Sequence, residues 1–320
     1  MEYVITFMVI ITLNFMLPRM MPGDPFLHLS AEGGEEVWAF TAEQRQYFID
    51  YYGLDRPLPE QYARYLTGLI QGDMGVSYYY KDQVSSIIWR RLPWTLMIVT
   101  GATLLSLLLG TVLGSFSAFH RESWKDKSLY LLMIVFSEIP AFLLGIVLLI
   151  IFAAGMGLFP LSGAMRHFAN YTGWEQVKDV LHHAALPVIT LSLARVGGTY
   201  LLVRNTFTTV MGKDYIRTAR AKGLTEGRIR YYHALRNALL PLVTRVALQM
   251  GAMVGGAVLV ENVFAYPGLG QLMREAVFVR DYPLLQGIFL VLAFGVLGAN
   301  LLADLLYRVL DPRTRGQETV

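Results

Sequence analysis

Where the charges are missing constrains this chain more than any other feature. Trp94 to Phe119 is a run of 26 residues without Asp, Glu, Lys or Arg. About 20 apolar residues suffice to cross the ~30 Å hydrocarbon core of a bilayer. The blocks Ser128–Phe159, Ala184–Met211, Ala238–Val260 and Pro283–Ala303 repeat the pattern, none with more than two charges. Inside a membrane every backbone polar group must be satisfied within its own segment or a closed barrel, so long single runs of this kind specify helices. Tyr3–Leu17 is uncharged but short for a span. It lacks a basic leader and a small-residue cleavage site, so it reads as a retained first helix rather than a signal peptide. The expectation is an all-α polytopic membrane protein with six transmembrane helices. Composition agrees, with 16% charged residues against about 25% in a soluble protein.

The remaining charges set topology. Net charge is only +3, and the basic residues cluster in short connections, which indicates membrane orientation rather than nucleic-acid binding. Arg121, Lys125 and Lys127 follow the second span, seven Lys and Arg follow the fourth, and Arg308, Arg313 and Arg315 follow the sixth. The positive-inside rule puts all three on the cytoplasmic side, with both termini. The expected domains are helix 1 over 1–17, an extracytoplasmic loop over 18–92, a five-helix permease core over 93–308 and a cytoplasmic tail over 309–320. The first loop carries ten acidic against seven basic residues and reads as helical at Thr41–Tyr52 and Pro59–Ile70. Gly110 with Gly114, and Gly251 with Gly255, are spaced to let another helix approach closely. There are no cysteines, so disulfides, thiolate metal sites and cysteine catalysis are excluded.

The basic stretch within 212–237 has an internal pattern. Lys213–Lys222 reads as a short helix, Gly223 as its left-handed C-cap, and Thr225 as the N-cap of a second helix running towards Pro241. Ala219, Gly223 and Leu235, in the form RTARAKG…HALRNALLP, keep the spacing of the EAA loop of ABC-importer permeases and resemble its dipeptide/oligopeptide/nickel branch. MPGDP at 21–25, YGLDRPLPEQYARYL at 52–66, GDMGVSY at 72–78, ENVFAYPGLGQL at 261–272 and RDYP at 280–283 are similar to the same family, so the resemblance covers nearly the whole chain. Arg217 and Thr218 replace the leading Glu-Ala of the general loop, and Arg236 replaces its later proline. Members of the family also usually begin with more basic residues than this sequence does. The resemblance implies a bacterial or archaeal cytoplasmic-membrane permease subunit of an ATP-driven importer. Its implied partners are a second homologous permease subunit, two ATP-binding subunits holding ATP and Mg, and an extracytoplasmic substrate-binding protein. Ala219, Gly223, Leu224 and Leu235 are the expected ATPase-coupling residues, and peptides the expected cargo, with nickel or a metal chelate as the alternative.

Other chemistry is thin. No phosphate loop of the form G-x-x-x-x-G-K-[ST] is present, so ATP hydrolysis is not expected on this chain, nor any bound cofactor. The six histidines form no HExxH, and neighbours such as His182 and His183 point about 100° apart on a helix, which is poor geometry for one metal. Tyr78, Tyr79 and Tyr80 read as interfacial anchors before substrate-stacking groups. His233 reads as a packed helix residue. An ion-gradient-driven secondary transporter would require inverted repeats and mid-membrane carboxylates. No repeat is visible and Glu138 is the one acidic residue within the five long spans. Glu138 and Arg195, each about ten residues into its span and so roughly 15 Å deep, are the candidate translocation-pathway pair.

Overall fold

The computed structural model describes residues 2–20, 41–52, 55–166, 171–238, 242 and 255–310. Within them the chain is helical, and an isolated bridge between Val76 and Gln83 is the only extended pairing among the described residues. Two units form. One comprises Met1–Trp94 with Pro267–Phe294, the other Thr95–Tyr266 with Gly295–Val320.

The first unit begins with α1, Glu2–Met20. Its buried side meets α3, Leu58–Ile70. Phe15 packs edge-on to Tyr62 at 5.1 Å and lies 5.6 Å from Tyr65, while the Arg19 guanidinium sits 3.6 Å over the Phe15 ring and donates to Gln61 Oε1 at 2.8 Å. Buried Asn14 donates to Tyr65 Oη and to the Gln286 carbonyl, so the one amide in this apolar helix is not wasted. Helix α2 spans Ala42–Tyr52, so both helices expected of the long loop are present. Pro57 precedes α3 and supplies its entry turn. The first turns of α4 (Val84–Phe119) pack with α12 (Leu269–Phe278) and the start of α13 (Tyr282–Leu310) around Val84, Ile88, Leu272, Leu284 and Ile288. Asp281 fastens this core. Its carboxylate accepts from Ser77 Oγ, from the Tyr79 amide at 3.1 Å and, as the N-cap of α13, from the Leu284 amide at 3.2 Å. Complete burial pushes this carboxyl above the usual range, against the pull of those donors.

The second unit is a helix assembly on α7, Trp174–Met211. Against it lie the rest of α4, then α5 (Trp124–Glu138) and α6 (Ala141–Leu148), which continues as a π-helical turn over Leu149–Gly155. The glycine pair on α4 does what its spacing implies. A Cβ on Gly110 would sit 2.6 Å from Thr199, and one on Gly114 2.7 Å from the Tyr200 carbonyl. The α5–α7 crossing is tighter still, since a Cβ on Gly197 would fall 2.4 Å from the Met133 carbonyl. Beyond α7 come α8 (Asp214–Ala221), α9 (Glu226–Arg228), a π-helical segment Ile229–Leu235, α10 (Arg236–Ala238) and α11 over 255–263.

Among the described residues three helices are long and apolar enough to cross a membrane, Val84–Phe119, Trp174–Met211 and Tyr282–Leu302. The third expected span differs from its reading as one continuous run. Trp124–Glu138 and Ala141–Gly155 meet at 102°. Ile139, forced from helical geometry by the proline after it, is extended at φ −80° and ψ 124°. Pro140 then starts a new helix. Spans two and four each begin ten residues earlier than expected, at Val84 and Trp174 rather than Trp94 and Ala184, because helix continues through polar residues once packing supports it. Ile5–Met16 is a shorter apolar helix. Most of the expected fifth span (239–241 and 243–254, with Gly251), the MPGDP stretch and the basic tail fall outside the described residues. A Cβ on Gly255, from the second expected glycine pair, would meet nothing within 4 Å among the described residues.

Candidate functional site

The basic stretch folds as a capped protrusion at one end of α7. Gly212 ends α7, Lys213 is extended, and α8 follows with Ile216 and Ala219 turned inward. At the far end of α8 the chain must reverse. The Leu224 amide donates to the Ala219 carbonyl at 3.3 Å and the Gly223 amide to the Arg220 carbonyl at 2.9 Å, the paired bonds that close a helix through a left-handed residue. Gly223 has φ +74°, which a residue with a Cβ adopts only under strain. Thr225 then caps α9, its hydroxyl accepting from the Arg228 amide at 3.5 Å. The helix, glycine break and cap read from the sequence are thus all present, while the second helix departs from ideal geometry in its π-helical middle.

A compact core seats the protrusion on the ends of α4 and α7. Phe207, Val210, Ile216, Ala219, Ile229, Ala234 and Ala238 are buried together, and Phe119, Leu224 and Leu235 pack against them. Three of the four residues singled out from the sequence, Ala219, Leu224 and Leu235, therefore face inward and set the protrusion's shape. Gly223 is exposed at the turn. The outward face is built from side chains that spacing did not single out: Tyr215, Arg217, Tyr231 and Tyr232 are exposed. Arg220 bridges to Glu226 at 2.8 Å, bracing α8 against α9, and holds that carboxyl below the usual range. His233 is half-buried beside Tyr232.

One further cluster went unrecognised in the sequence. Asp126, capped into the first turn of α5, accepts both arms of Arg204 from α7, Nε to Oδ1 and Nη2 to Oδ2, each at 2.8 Å. Ser117 on α4 also donates to it, and Tyr200 Oη donates to Ser117 at 2.6 Å. The Glu122 amide completes the set at 3.0 Å. The clasp joins α4, α5 and α7 immediately beside the protrusion. Its acidic member stands inside HRESWKDK, whose basic neighbours dominated the sequence reading.

Glu138 and Arg195 are not brought together as a pair. Glu138 is exposed at the bend and makes no ion pair among the described residues; Arg195 is half-buried on α7, its Nη2 3.6 Å from where a Cβ on Gly256 would lie. The 102° bend also removes the straight-helix depth assigned to Glu138. His182 Nε2 bonds the Leu158 carbonyl and His183 Nδ1 the Asp179 carbonyl. Among the described residues no three His, Asp or Glu side chains converge as metal ligands. Tyr78 is buried, Tyr79 exposed, and Tyr80 donates to Glu275 at 2.7 Å.

Residues 110–316 match the family model described as binding-protein-dependent transport system inner membrane component. The oligopeptide transport system permease protein AppB of Bacillus subtilis is 35% identical over 302 residues, covering 94% of this chain and 92% of that protein. The glutathione transport system permease protein GsiC of Pectobacterium atrosepticum is 36% identical over 310 residues, covering 97% and 95%. In fold, the chain is similar to a chain of the inward-facing MetNI methionine ABC transporter, with a TM-score of 0.58 and 16% identity over 70% of this chain and 96% of that one. Helical spans, a basic capped protrusion and matches over nearly the full length converge, and the chain belongs to the family of inner-membrane permease components of binding-protein-dependent transport systems.

Proposed function

We propose that this chain works as one of two permease subunits in an ATP-driven importer of peptides, with its basic loop on the cytoplasmic side and the protrusion as the surface that meets an ATPase subunit. The observation that carries the reading is the seating of the protrusion: a capped two-helix element fixed by a buried core to the ends of α4 and α7. Force applied there reaches two membrane helices directly. Ala219, Leu224 and Leu235 shape the element from within, Gly223 makes its turn, and Tyr215, Arg217, Tyr231 and Tyr232 offer the contact face. ATP and Mg sit on the partner subunits, and an extracytoplasmic binding protein delivers cargo. Peptides are favoured over nickel because the similar proteins AppB and GsiC are named for oligopeptide and glutathione transport. Closure of the ATPases would move the two protrusions as rigid bodies and switch access to the pathway.

Gly223→Pro and Gly223→Val test the coupling role. Each should leave membrane insertion normal, abolish peptide uptake and lower the amount of ATPase subunit that co-purifies, because the turn needs φ +74°. Wild-type uptake together with wild-type co-purification would remove the coupling assignment.

A further inference from the structure

Beside the protrusion lies a half-open cavity of 320 Å³ whose walls are of two kinds. Phe119, Phe207 and Met211 give it an apolar lining, and Arg121, Arg220 and Arg230 stand around it. No carboxylate is among the lining residues. Glu226 reaches Arg220 at 2.8 Å and Arg230 at 3.8 Å, and Glu122 lies 3.7 Å from Arg121. Three arginines against two glutamates leave the site cationic. Arg230 is held with its guanidinium 5.0 Å over the Phe119 ring, and its Nε, though buried, has no hydrogen-bond partner among the described residues. The 3.8 Å approach of Glu226 is too long to provide one.

Guanidinium groups match phosphate through paired, planar donors. The cavity adds an apolar wall and a position at the ends of two helices that cross the membrane. A phosphate attached to hydrocarbon satisfies both features, whereas a free phosphate ion has no use for the apolar wall. Basic pockets between membrane helices commonly take anionic headgroups for this reason. We propose that the cavity binds the phosphate headgroup of an anionic phospholipid, which ties the base of the protrusion to the membrane surface. The proposal rests on the functional reading above only for which leaflet supplies the lipid.

The test uses the importer purified with its partner subunits, stripped of lipid and exposed to vesicles of phosphatidylglycerol and phosphatidylcholine. Retained lipid is then counted by native mass spectrometry. Wild type should retain phosphatidylglycerol selectively, with inorganic phosphate unable to displace it. Retention should fall about fivefold for each arginine removed in Arg121→Gln and Arg230→Gln, alone and together. The matching Arg→Lys variants keep the charge but not the paired planar donors and should retain an intermediate amount of lipid, which separates a binding defect from misfolding. Equal retention by wild type and the double glutamine variant would overturn the proposal, as would displacement by inorganic phosphate alone. Loss of ATPase subunits with lipid retention unchanged would reassign the arginines to a protein contact and equally overturn it. Tyr215→Ala and Tyr232→Ala, on the proposed contact face and outside the cavity lining, should lower uptake and ATPase co-purification while retaining lipid, so the two ideas fail separately.

Discussion

Asp126 takes four donors, from α4, α7 and the turn before α5, and its charged partner, Arg204, is 78 residues away along the chain. Asp126→Ala would leave Arg204 and Ser117 facing a buried vacancy. Breaking a buried pair from one side costs about 3–5 kcal/mol, and the low end applies here because the arginine keeps some solvent contact. The thermal-unfolding midpoint of the detergent-solubilised protein should drop accordingly, and Asp126→Leu with Arg204→Met should recover most of the loss. A fall of less than about 1 kcal/mol in the single variant would mean the clasp is not structural. Glu138 and Arg195 call for a different experiment. Reversing either charge should lower uptake if each lines the pathway, and because Glu138 has no ion pair among the described residues, the double swap should not restore it. Recovery on swapping would show that the two meet in another state of the transport cycle. Why one cluster was legible and the other not is a matter of range. Gly223 and Thr225 act on atoms within four residues, so spacing exposes them, whereas Asp126 among Lys125 and Lys127 resembles any basic loop until α7 arrives.

Individual elements teach a similar lesson through their prolines. Pro93 and Pro187 lie inside α4 and α7 without breaking them, while Pro140 begins a new helix after a 102° turn. Hydropathy carries no direction, so an apolar run with a proline in it reads the same in all three cases. Tertiary packing decides, and here both arms of the bent pair lie against α7. That packing gives a test. Gly197→Val must place its Cβ against the Met133 carbonyl, which is backbone and cannot swing aside. Overpacking of this kind costs about 1–3 kcal/mol, so the variant should lose several degrees in its unfolding midpoint and uptake with it. A midpoint and uptake equal to wild type would show that the α5–α7 crossing has room to spare. Gly110 and Gly114, by contrast, were read correctly from spacing alone, because a small residue every fourth position marks one helix face whatever packs on it.

At the scale of the whole molecule, sequence and structure agree, among the described residues, on helix as the sole regular element and on strongly apolar spans, three of them single helices and a fourth a bent pair. Where each helix starts was less legible, since charge marks the edge of hydrocarbon and not the edge of hydrogen bonding. That distinction matters most for α7. Its 38 residues run unbroken to the protrusion, a length of about 57 Å at ~1.5 Å per residue. A rod of that length is a lever arm: tilting it by about 5° about one end sweeps the other through roughly 5 Å. If the loop couples as proposed, stiffness rather than any single contact would set how faithfully a push on it is delivered to the opposite end, and Pro187, with no amide to donate, is where compliance would first enter.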